Sequence, residues 1–409
     1  MDAIDFVAED LCLRPSLRIA LVTETYPPEI NGVAMTLGRM VEGLMARGHR
    51  VQLIRPRQAP LEQAASSPDF EEVLAHGLQI PRYQGLRFGL PARAALARLW
   101  NRQRPDLVHV ATEGPLGWSA VSAACKLRLP VTSDLHTNFD HYSSHYGIGW
   151  LRQPVAAYLR RFHNRTARTF VPTETMANKL RSQGYQRVEA IARGVDTALF
   201  SPVRRSEALR ASWGLKAGDL AVLSVGRVAP EKNLPLTMQA FEAIRQRRPD
   251  ARLVVVGDGP LRRPLEERHP EHIYAGMRSG EDLAAHYASA DLFLFPSLTE
   301  TYGNVTLEAM ASGLGVVAYA CAAAAEVISP GVEGLTPPAG DEGGFVSAAV
   351  DLACDDALRQ RLAAAARVQA TRLNWDRIHD RFAAALMEAA TLPPASWRPA
   401  LFKPARQDA

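Results

Sequence analysis

The chain has 409 residues, of which 47% are hydrophobic and 22% are charged, and its formal net charge is +4 at pH 7. This length exceeds one ordinary hydrophobic core, so we expect two domains, and the composition is typical of a soluble globular protein. With so small a net charge, nucleic-acid binding would rest on local basic patches alone; no recognition motif accompanies them, so we expect no nucleic-acid partner.

Cysteine usage and the N-terminus indicate the cellular compartment. The four cysteines lie far apart without a Cys-x-x-Cys pair, which indicates neither a structural zinc site nor a disulfide framework and suits a reducing cytoplasm. Asp2 and Asp5 stand where a signal peptide has basic residues, and no window reaches the ~18 uninterrupted apolar residues that span a bilayer. We therefore expect a protein that is neither exported nor membrane-spanning.

Short apolar runs alternate with helical patterns along the whole chain. The first half predicts strands at residues 18–23, 51–54, 107–111, 131–133, 170–172 and 188–191, with helices at 33–47, 116–126 and 150–165. The second half predicts strands at 220–225, 252–256, 272–275, 292–296 and 316–319, with helices between them. An amphipathic helix is predicted at 374–390 and a disordered tail at 391–409. The alternation predicts two doubly wound α/β domains, 1–200 and 201–373.

Ligands of doubly wound sheets bind beyond the carboxyl ends of the strands, where several loops of this chain hold polar residues. The first loop ends in Asn31-Gly32 at the start of a predicted helix, where backbone amides and a flexible glycine suit a phosphate. A plain Asn-Gly turn is the alternative. A dinucleotide site does not fit, because three spaced glycines are absent and Arg55 and Arg57 replace the acid expected about 20 residues on.

Two cations follow the first strand of the second half. Arg227 and Lys232 lie in the loop that begins with Gly226. A guanidinium grips phosphate oxygens bidentately and an ammonium acts as a point charge, so this pair can hold the charge of a departing nucleoside diphosphate without a metal. Two solvated surface cations are the alternative.

A pair of acids brackets a glycine further along the chain. Glu300 precedes the turn at Gly303, and Glu308 lies on the helix predicted to begin there. At ~1.5 Å per residue the two carboxylates are on the order of 10 Å apart. Ionised carboxylates accept from vicinal hydroxyls and the amides of Gly303, Asn304 and Val305 are donors, so the element matches a nucleotide sugar from diol to diphosphate to diol. A solvated helix face is the alternative.

Three further motifs are weaker on their own. His136 follows a predicted strand and is either a structural histidine or a residue facing an inter-domain cleft. The sequence Arg-Gly-Val-Asp at 193–196 is equally compatible with a tight turn. Gly257-Asp258-Gly259-Pro260 lacks the third glycine of a dinucleotide motif.

With these motifs in this order, the chain resembles the retaining glycosyltransferases of family 4 over residues 18–389. The resemblance implies the GT-B type of α/β fold, in which two doubly wound Rossmann-like domains face a cleft and a C-terminal helix crosses back to the first domain. It implies that residues 1–200, joined by the crossing helix at 374–390, bind the acceptor and that residues 201–373 bind the nucleotide sugar.

The same resemblance assigns roles to the motif residues. Glu300 would bind hydroxyls of the donor sugar, Glu308 the ribose hydroxyls, and Arg227 with Lys232 the diphosphate, while His136 would contact the sugar beside the anomeric carbon. The residues implied to cradle the diphosphate are Asn31, Gly32, Gly303, Asn304 and Val305. Members of the family need no metal or cofactor, retain anomeric configuration through front-face departure of the diphosphate, and use no protein nucleophile.

Two departures from the family pattern are visible. Asn31-Gly32 stands where many members have Gly-Gly, and Cys321-Ala322-Ala323-Ala324-Ala325 replaces a glycine-rich stretch before Glu326. The alanine run and residues 138–165 are most similar to the branch of mannosyl-, glucosyl- and sulfoquinovosyl-transferases that act on diacylglycerol or phosphatidylinositol-type lipids.

Two acid-free stretches of the first half support a lipid acceptor from the residues themselves. They interleave arginines with aromatic residues, a composition that fits an anionic membrane surface, and ordinary solvated arginine faces are the alternative. The first stretch holds Arg82, Arg87, Arg93, Arg98, Arg102 and Arg104 with Tyr83, Phe88 and Trp100, and the second holds Arg152, Arg160, Arg161, Arg165 and Arg168 with Trp150, Tyr158 and Phe162.

The sequence thus predicts a retaining, metal-independent enzyme on the cytoplasmic face of the membrane. It is expected to move a hexose from a UDP- or GDP-sugar to a lipid hydroxyl such as that of diacylglycerol. The alternatives are a transferase with a soluble or polysaccharide acceptor and a non-catalytic nucleotide-sugar-binding protein.

Overall fold

A computed structural model describes residues 16–29, 31–59, 61–79, 87–136 and 152–392. Its strands are β1 Arg18–Val22, β2 Arg50–Pro56, β3 Ser66–Ser67, β4 Phe70–Ala75, β5 Gly77–Gln79, β6 Arg87–Gly89, β7 Leu107–Val110, β8 Val131–Asp134, β9 Arg168–Val171, β10 Val188–Ala190, β11 Ala221–Val225, β12 Arg252–Val256, β13 Ile273–Gly276, β14 Leu292–Phe295 and β15 Gly315–Ala318. The helices are Gly32–Ala46, Arg93–Arg102, Pro115–Leu127, Arg152–His163, Glu174–Ser182, Glu207–Ser212, Leu234–Arg247, Arg262–Arg268, Gly280–Ala288, Asn304–Ala311, Ala322–Val327, Glu342–Cys354, Asp356–Arg372 and Trp375–Thr391.

Every strand that the sequence predicts is present, with ends displaced by at most two residues. The predicted helix at 374–390 is observed at Trp375–Thr391, so Thr391 ends a helix instead of opening a tail. Residues 393–409 of the predicted tail lie outside the described part. Strands β3 to β6 were not predicted, because β4 holds two glutamates and half-buried residues and does not form an apolar run.

The chain forms two compact units. The first holds residues up to Asp134, Arg165–Ala167 and the residues from Ala383 onward, and the second holds Leu135–Asn164 and Arg168–Phe382. The domain boundary at residue 200 stays a prediction. Among the described helices, each is either too short or too polar to cross a bilayer.

The first unit is built on strands in the order β8-β7-β1-β2-β4-β3, parallel except for β3. On β2, Arg55 is buried and donates to Glu72 at 2.7 Å and to Glu62 at 2.6 Å. This arginine, which stands where a dinucleotide fold has an acid, therefore belongs to a structural ion-pair network.

The second unit contains the parallel pair of β9 and β10 and a parallel five-stranded sheet with the order β13-β12-β11-β14-β15. Residues in and directly before β11 alternate between two hydrophobic clusters: Leu223 and Val225 lie in one, and Val222 with the preceding Leu220 lies in the other. Because helices cover both faces, these strands consist largely of apolar residues, which is why they were recognisable as apolar runs. The order is that of a doubly wound sheet, as predicted.

Candidate active site

The strand order of the second unit defines a switch point between β11 and β14. From β11 the chain builds outward to β12 and β13, and it then returns to place β14 and β15 on the other side. The loops that leave β11 and β14 therefore diverge, which opens a crevice at their carboxyl ends where ligands of such folds bind. Arg227 and Lys232 follow β11, and Glu300 and Gly303 follow β14.

Lys232 and Glu300 meet in this crevice. The Nζ of Lys232 donates to Oε1 of Glu300, and the Oγ of Ser297 donates to the same oxygen at 2.8 Å. Only 19% of the lysine and 12% of the glutamate side chain is exposed, and the ammonium lies 5.5 Å from the ring centre of Phe295. Burial strengthens this ion pair and orients both groups.

The side chain of Arg227 is more exposed to solvent than that of Lys232. Its side chain is 42% exposed, and its Nη1 lies 3.8 Å from Oε1 of Glu231. The loop that holds it is supported by the next glycine motif: a Cβ on Gly257, whose φ is +133°, would lie 1.9 Å from the carbonyl oxygen of Gly226. The weak glycine motif at 257–260 therefore has a packing role, because only glycine permits these two loops to touch.

Gly303 forms the tip of the helix Asn304–Ala311. It is the N-cap residue, with φ of 87° and ψ of 58°, a left-handed conformation that favours glycine. The first amides of the helix, at Asn304 and Val305, have no intrahelical acceptor and suit an anion. Within the described residues, the buried Oδ1 of Asn304 has no hydrogen-bond partner, so the side chain is available to a ligand.

Glu308 lies on the same helix. Tyr287, which is completely buried, donates its hydroxyl to Oε2 of Glu308 at 2.9 Å. Burial raises the pKa of Glu308 to about 7, and the hydrogen bond from Tyr287, which lowers the pKa, offsets only part of this effect. An acid that is half protonated at neutral pH and becomes ionised when it accepts ligand hydroxyls is a suitable partner for a diol. Tyr287 was not among the residues predicted from the sequence.

His136 is fixed by a residue whose role the sequence left open. Arg193 is buried and places Nη2 3.1 Å from Nδ1 of His136. Because arginine only donates, Nδ1 accepts and the ring proton of the neutral histidine lies on Nε2. The guanidinium also lies 5.8 Å from the ring centre of Tyr302, whose hydroxyl donates to the Arg193 carbonyl at 3.0 Å. Arg193 thereby connects His136 to the Gly303 loop.

Asn31 and Gly32 belong to the first unit, at the start of the helix Gly32–Ala46. The Oδ1 of Asn31 accepts from the amides of Val33 at 3.1 Å and Ala34 at 2.8 Å, so the side chain is the helix cap. A Cβ on Gly32 would meet nothing within 4 Å. The amide of Gly32 stands at a helix start beside open space, and the substrate-binding role of both residues stays a prediction.

Sequence reasoning missed Glu24, which follows β1 at the switch point of the first unit. Its carboxylate accepts from the amide of Leu116 at 3.2 Å, and its own amide donates to Thr112 at 2.9 Å. Burial raises the pKa of Glu24 to about 7. The carboxylate caps the helix Pro115–Leu127, whose N-cap residue is Gly114 and has no side chain to do so.

The two acid-free stretches are only partly available to a membrane. Trp100 and Phe162 are completely buried, so the prediction that they face a membrane is wrong: both belong to the inward side of their helices. Arg82, Tyr83, Trp150 and the side chain of Arg152 lie outside the described residues. The arginines that remain exposed on the helix Arg93–Arg102 are Arg93, Arg98 and Arg102.

The alanine run holds a strained residue. Ala322 has φ of +48°, a left-handed conformation that costs an L-residue ~1–2 kcal/mol. It follows Cys321, whose Sγ lies 3.6 Å from the Ser297 carbonyl oxygen, and the amide of Ala323 donates to the Tyr302 carbonyl at 2.8 Å. The backbone next to the Glu300 loop thus keeps a geometry suited to glycine although glycine is absent.

We expect Ala322→Gly to raise the free energy of unfolding by about 0.5–1 kcal/mol, because relief of the left-handed strain exceeds the entropy that glycine adds to the unfolded chain. Ala325→Gly, at an exposed position of the same helix, is the matched control and should lower it by a similar amount. Urea unfolding followed by tryptophan fluorescence measures both, and equal losses in the two variants would contradict the strain at Ala322.

The sequence is similar to those of known glycosyltransferases. A family model described as Glycosyltransferase Family 4 matches residues 30–199, and one described as Glycosyl transferases group 1 matches residues 219–355. A GDP-mannose-dependent alpha-mannosyltransferase of Corynebacterium glutamicum is 32% identical over 90% of this chain and 86% of its own length. An alpha-monoglucosyldiacylglycerol synthase of Streptococcus pneumoniae is 28% identical over 74% of this chain and 71% of its own length.

The fold is also shared with solved structures. The crystal structure of Anabaena HepE in complex with UDP and glucose has a TM-score of 0.71 at 20% sequence identity and covers 91% of this chain and 100% of that chain. This similarity confirms the predicted GT-B class of α/β fold. Since the two family models together span most of the sequence and the Corynebacterium relative is similar over nearly all of it, the chain belongs to glycosyltransferase family 4.

Proposed function

We propose that the protein transfers a hexose from a nucleoside-diphosphate sugar to a lipid hydroxyl at the cytoplasmic face of the membrane, with retention of anomeric configuration. The observation that carries this proposal is the contact of Lys232 with Glu300 beside the helix tip at Gly303. A cation, an acid and unpaired amides at one switch point match a donor that joins sugar hydroxyls to a diphosphate.

GDP-mannose is the first candidate donor. The Corynebacterium relative named for GDP-mannose is more similar, and over more of the chain, than the Streptococcus relative named for glucosyl transfer. A UDP-hexose is the second candidate. In either case Glu300 accepts from sugar hydroxyls and Glu308 accepts from the ribose diol, because ionised carboxylates are acceptors only.

The transfer step uses charge stabilisation in place of a metal or a protein nucleophile. The bond between the anomeric carbon and the diphosphate oxygen breaks while the acceptor oxygen bonds to the same face of the sugar, and the acceptor proton passes to the departing diphosphate. Lys232 and Arg227 hold the developing negative charge. His136, with its ring proton on Nε2, contacts the sugar beside the anomeric carbon.

A lipid acceptor is supported by the Streptococcus relative, which is named for diacylglycerol, and by the exposed arginines 93, 98 and 102 on one helix of the first unit. Each arginine near an anionic surface contributes ~1 kcal/mol of binding. Loss of all three should therefore weaken vesicle binding by about two orders of magnitude.

To test this proposal, the purified protein is incubated with radiolabelled GDP-mannose or UDP-glucose and with phosphatidylglycerol vesicles that contain diacylglycerol. A chelator is present throughout. We expect label from one donor in the lipid fraction, an unchanged anomeric configuration by proton NMR, and flotation with the vesicles that the Arg93→Gln/Arg98→Gln/Arg102→Gln variant loses. Label only on a water-soluble acceptor without flotation would exclude the lipid acceptor, and donor binding without any turnover would indicate a non-catalytic binding protein.

A further inference from the structure

The second unit contains a second cluster of potential metal ligands, at the amino ends of the strands, whereas the donor site lies at their carboxyl ends. His269, Glu271 and His272 lie directly before β13, at its amino end. One ligand atom from each, an imidazole nitrogen or a carboxylate oxygen, lies within 4.8 Å of the other two. The proposed transfer reaction uses none of them.

A tight turn brings the two imidazoles together. His269 ends the helix Arg262–Arg268, and the amide of His272 donates to the His269 carbonyl at 3.2 Å. The two rings stack with centroids 5.6 Å apart and planes inclined by 10°. Oε1 of Glu271 lies 3.8 Å from Nδ1 of His269 and 3.7 Å from Nε2 of His272.

These separations are close to those of a metal-ligand set. Ligand atoms ~2.0–2.2 Å from a tetrahedral ion lie about 3.4 Å from one another, and the two separations of Glu271 from the imidazoles exceed this value by only a few tenths of an ångström. The two imidazole nitrogens lie within 4.8 Å of each other, so rotation of the partly exposed His269 side chain completes the set. His272 is the fixed member, because it is buried and packs edge-on against Phe241 at 5.1 Å.

The three side chains line a cavity of about 410 Å³. Glu242 lines the same cavity, but it is paired with Arg245 at 2.7 Å. The protein therefore offers three ligands, and water supplies the fourth.

We propose that His269, Glu271 and His272 form a binding site for a divalent transition-metal ion, with Zn²⁺ as the preferred occupant. Two imidazoles and one carboxylate suit Zn²⁺, Co²⁺ or Ni²⁺, whereas Mg²⁺ and Ca²⁺ prefer oxygen ligands. The wide spacing of the cysteines argued only against a cysteine-type zinc site. A bound ion here would tie the end of the helix Arg262–Arg268 to β13, and it is separate from the metal-free transfer reaction.

The test is calorimetric titration of the full chain with ZnCl₂. We expect one equivalent bound by the wild type, an affinity at least tenfold lower in His269→Gln and in Glu271→Gln, and unchanged binding in the control Glu207→Gln, which removes an equal charge from an exposed position elsewhere. Both cluster variants change partly exposed residues, so folding is not at risk as it is for His272→Gln. An affinity within twofold of the wild type in both variants, or no binding at all, would overturn the proposal.

Cobalt gives an independent readout. Co²⁺ bound by nitrogen and oxygen ligands in a tetrahedral arrangement has visible absorption bands, and we expect these bands in the wild type and their loss in Glu271→Gln. A tenfold excess of Mg²⁺ should leave the spectrum unchanged, because Mg²⁺ demands octahedral oxygen ligands. Bands of equal intensity in wild type and variant would place the cobalt elsewhere.

Discussion

Lys232→Met is expected to lower kcat for sugar transfer on the order of 10²–10³-fold, the usual loss when one preorganised charge is removed from a transition state. The ammonium is held by Glu300 in a largely buried position. Water therefore cannot take over its stabilisation of the departing diphosphate without a large cost in free energy. Methionine keeps the length of the apolar stem and removes only the charge. Steady-state transfer of a radiolabelled nucleotide sugar measures the effect.

Lys216→Met is the matched control. Lys216 is exposed and lies before the amino end of β11, whereas the donor site lies at the carboxyl end. It should leave kcat unchanged, and both variants should keep the wild-type circular dichroism spectrum. Turnover of Lys232→Met within threefold of the wild type would remove this lysine from the reaction.

A double-mutant cycle separates the ion pair from independent roles. Glu300→Gln alone should also lower kcat by at least 100-fold, since Glu300 both orients Lys232 and accepts from the sugar. Because the two residues contact each other, we expect the double variant to lose much less than the product of the two single losses. A strictly multiplicative loss would mean that the contact between them has no part in catalysis.

Glu308→Gln is expected to weaken nucleotide-sugar binding and to abolish its pH dependence. Burial raises the pKa of Glu308 to about 7, and only the ionised form accepts from both ribose hydroxyls. Wild-type affinity should therefore rise about tenfold between pH 6 and pH 8, as the carboxyl ionises. Calorimetry with an intact nucleotide sugar is the suitable measurement, because its diphosphate diester does not titrate in this range.

A 2′-deoxyribose donor is the ligand-side control. It lacks one of the two hydroxyls, so its affinity should be low and nearly independent of pH, as for Glu308→Gln with the normal donor. If wild type and variant show the same increase with pH, another group is responsible and Glu308 does not contact the ribose.

The same residue should couple stability to pH. The pKa of Glu308 is about 7 in the folded protein against 4.5 for a free glutamate side chain. The folded state therefore binds more protons between these pH values, and stability falls as pH rises through this window. At pH 8 the wild type should be less stable than Glu308→Gln by at most about 3 kcal/mol, and the two should converge below about pH 4. The difference isolates Glu308 from Glu24, which titrates in the same range.

The elements of the fold that were predictable are those whose signal is local. Strands β11, β12 and β14 are largely apolar because helices cover both faces. Gly303 was recognised as the turn before a predicted helix, where a glycine leaves the backbone amides open to a ligand. Strands β3 to β6 have mixed, half-buried residues and left no comparable signal. Two aromatic residues of the arginine-rich stretches were misread: Trp100 and Phe162 face inward, and composition alone does not say which side of a helix is covered.

The sequence by itself determined the two alternating α/β halves and the order of the motifs, and it singled out Arg227, Lys232, Glu300 and Glu308 as candidate site residues, because each of these depends on residue type and spacing along the chain. Only the tertiary structure decided that Lys232 contacts Glu300, that Arg193 holds His136 and that Tyr287 donates to Glu308. These partners lie 68, 57 and 21 residues apart in sequence. The first two contacts exist because parallel strands align their carboxyl ends, and the third exists because the helices Gly280–Ala288 and Asn304–Ala311 pack against each other. No local pattern encodes either kind of proximity.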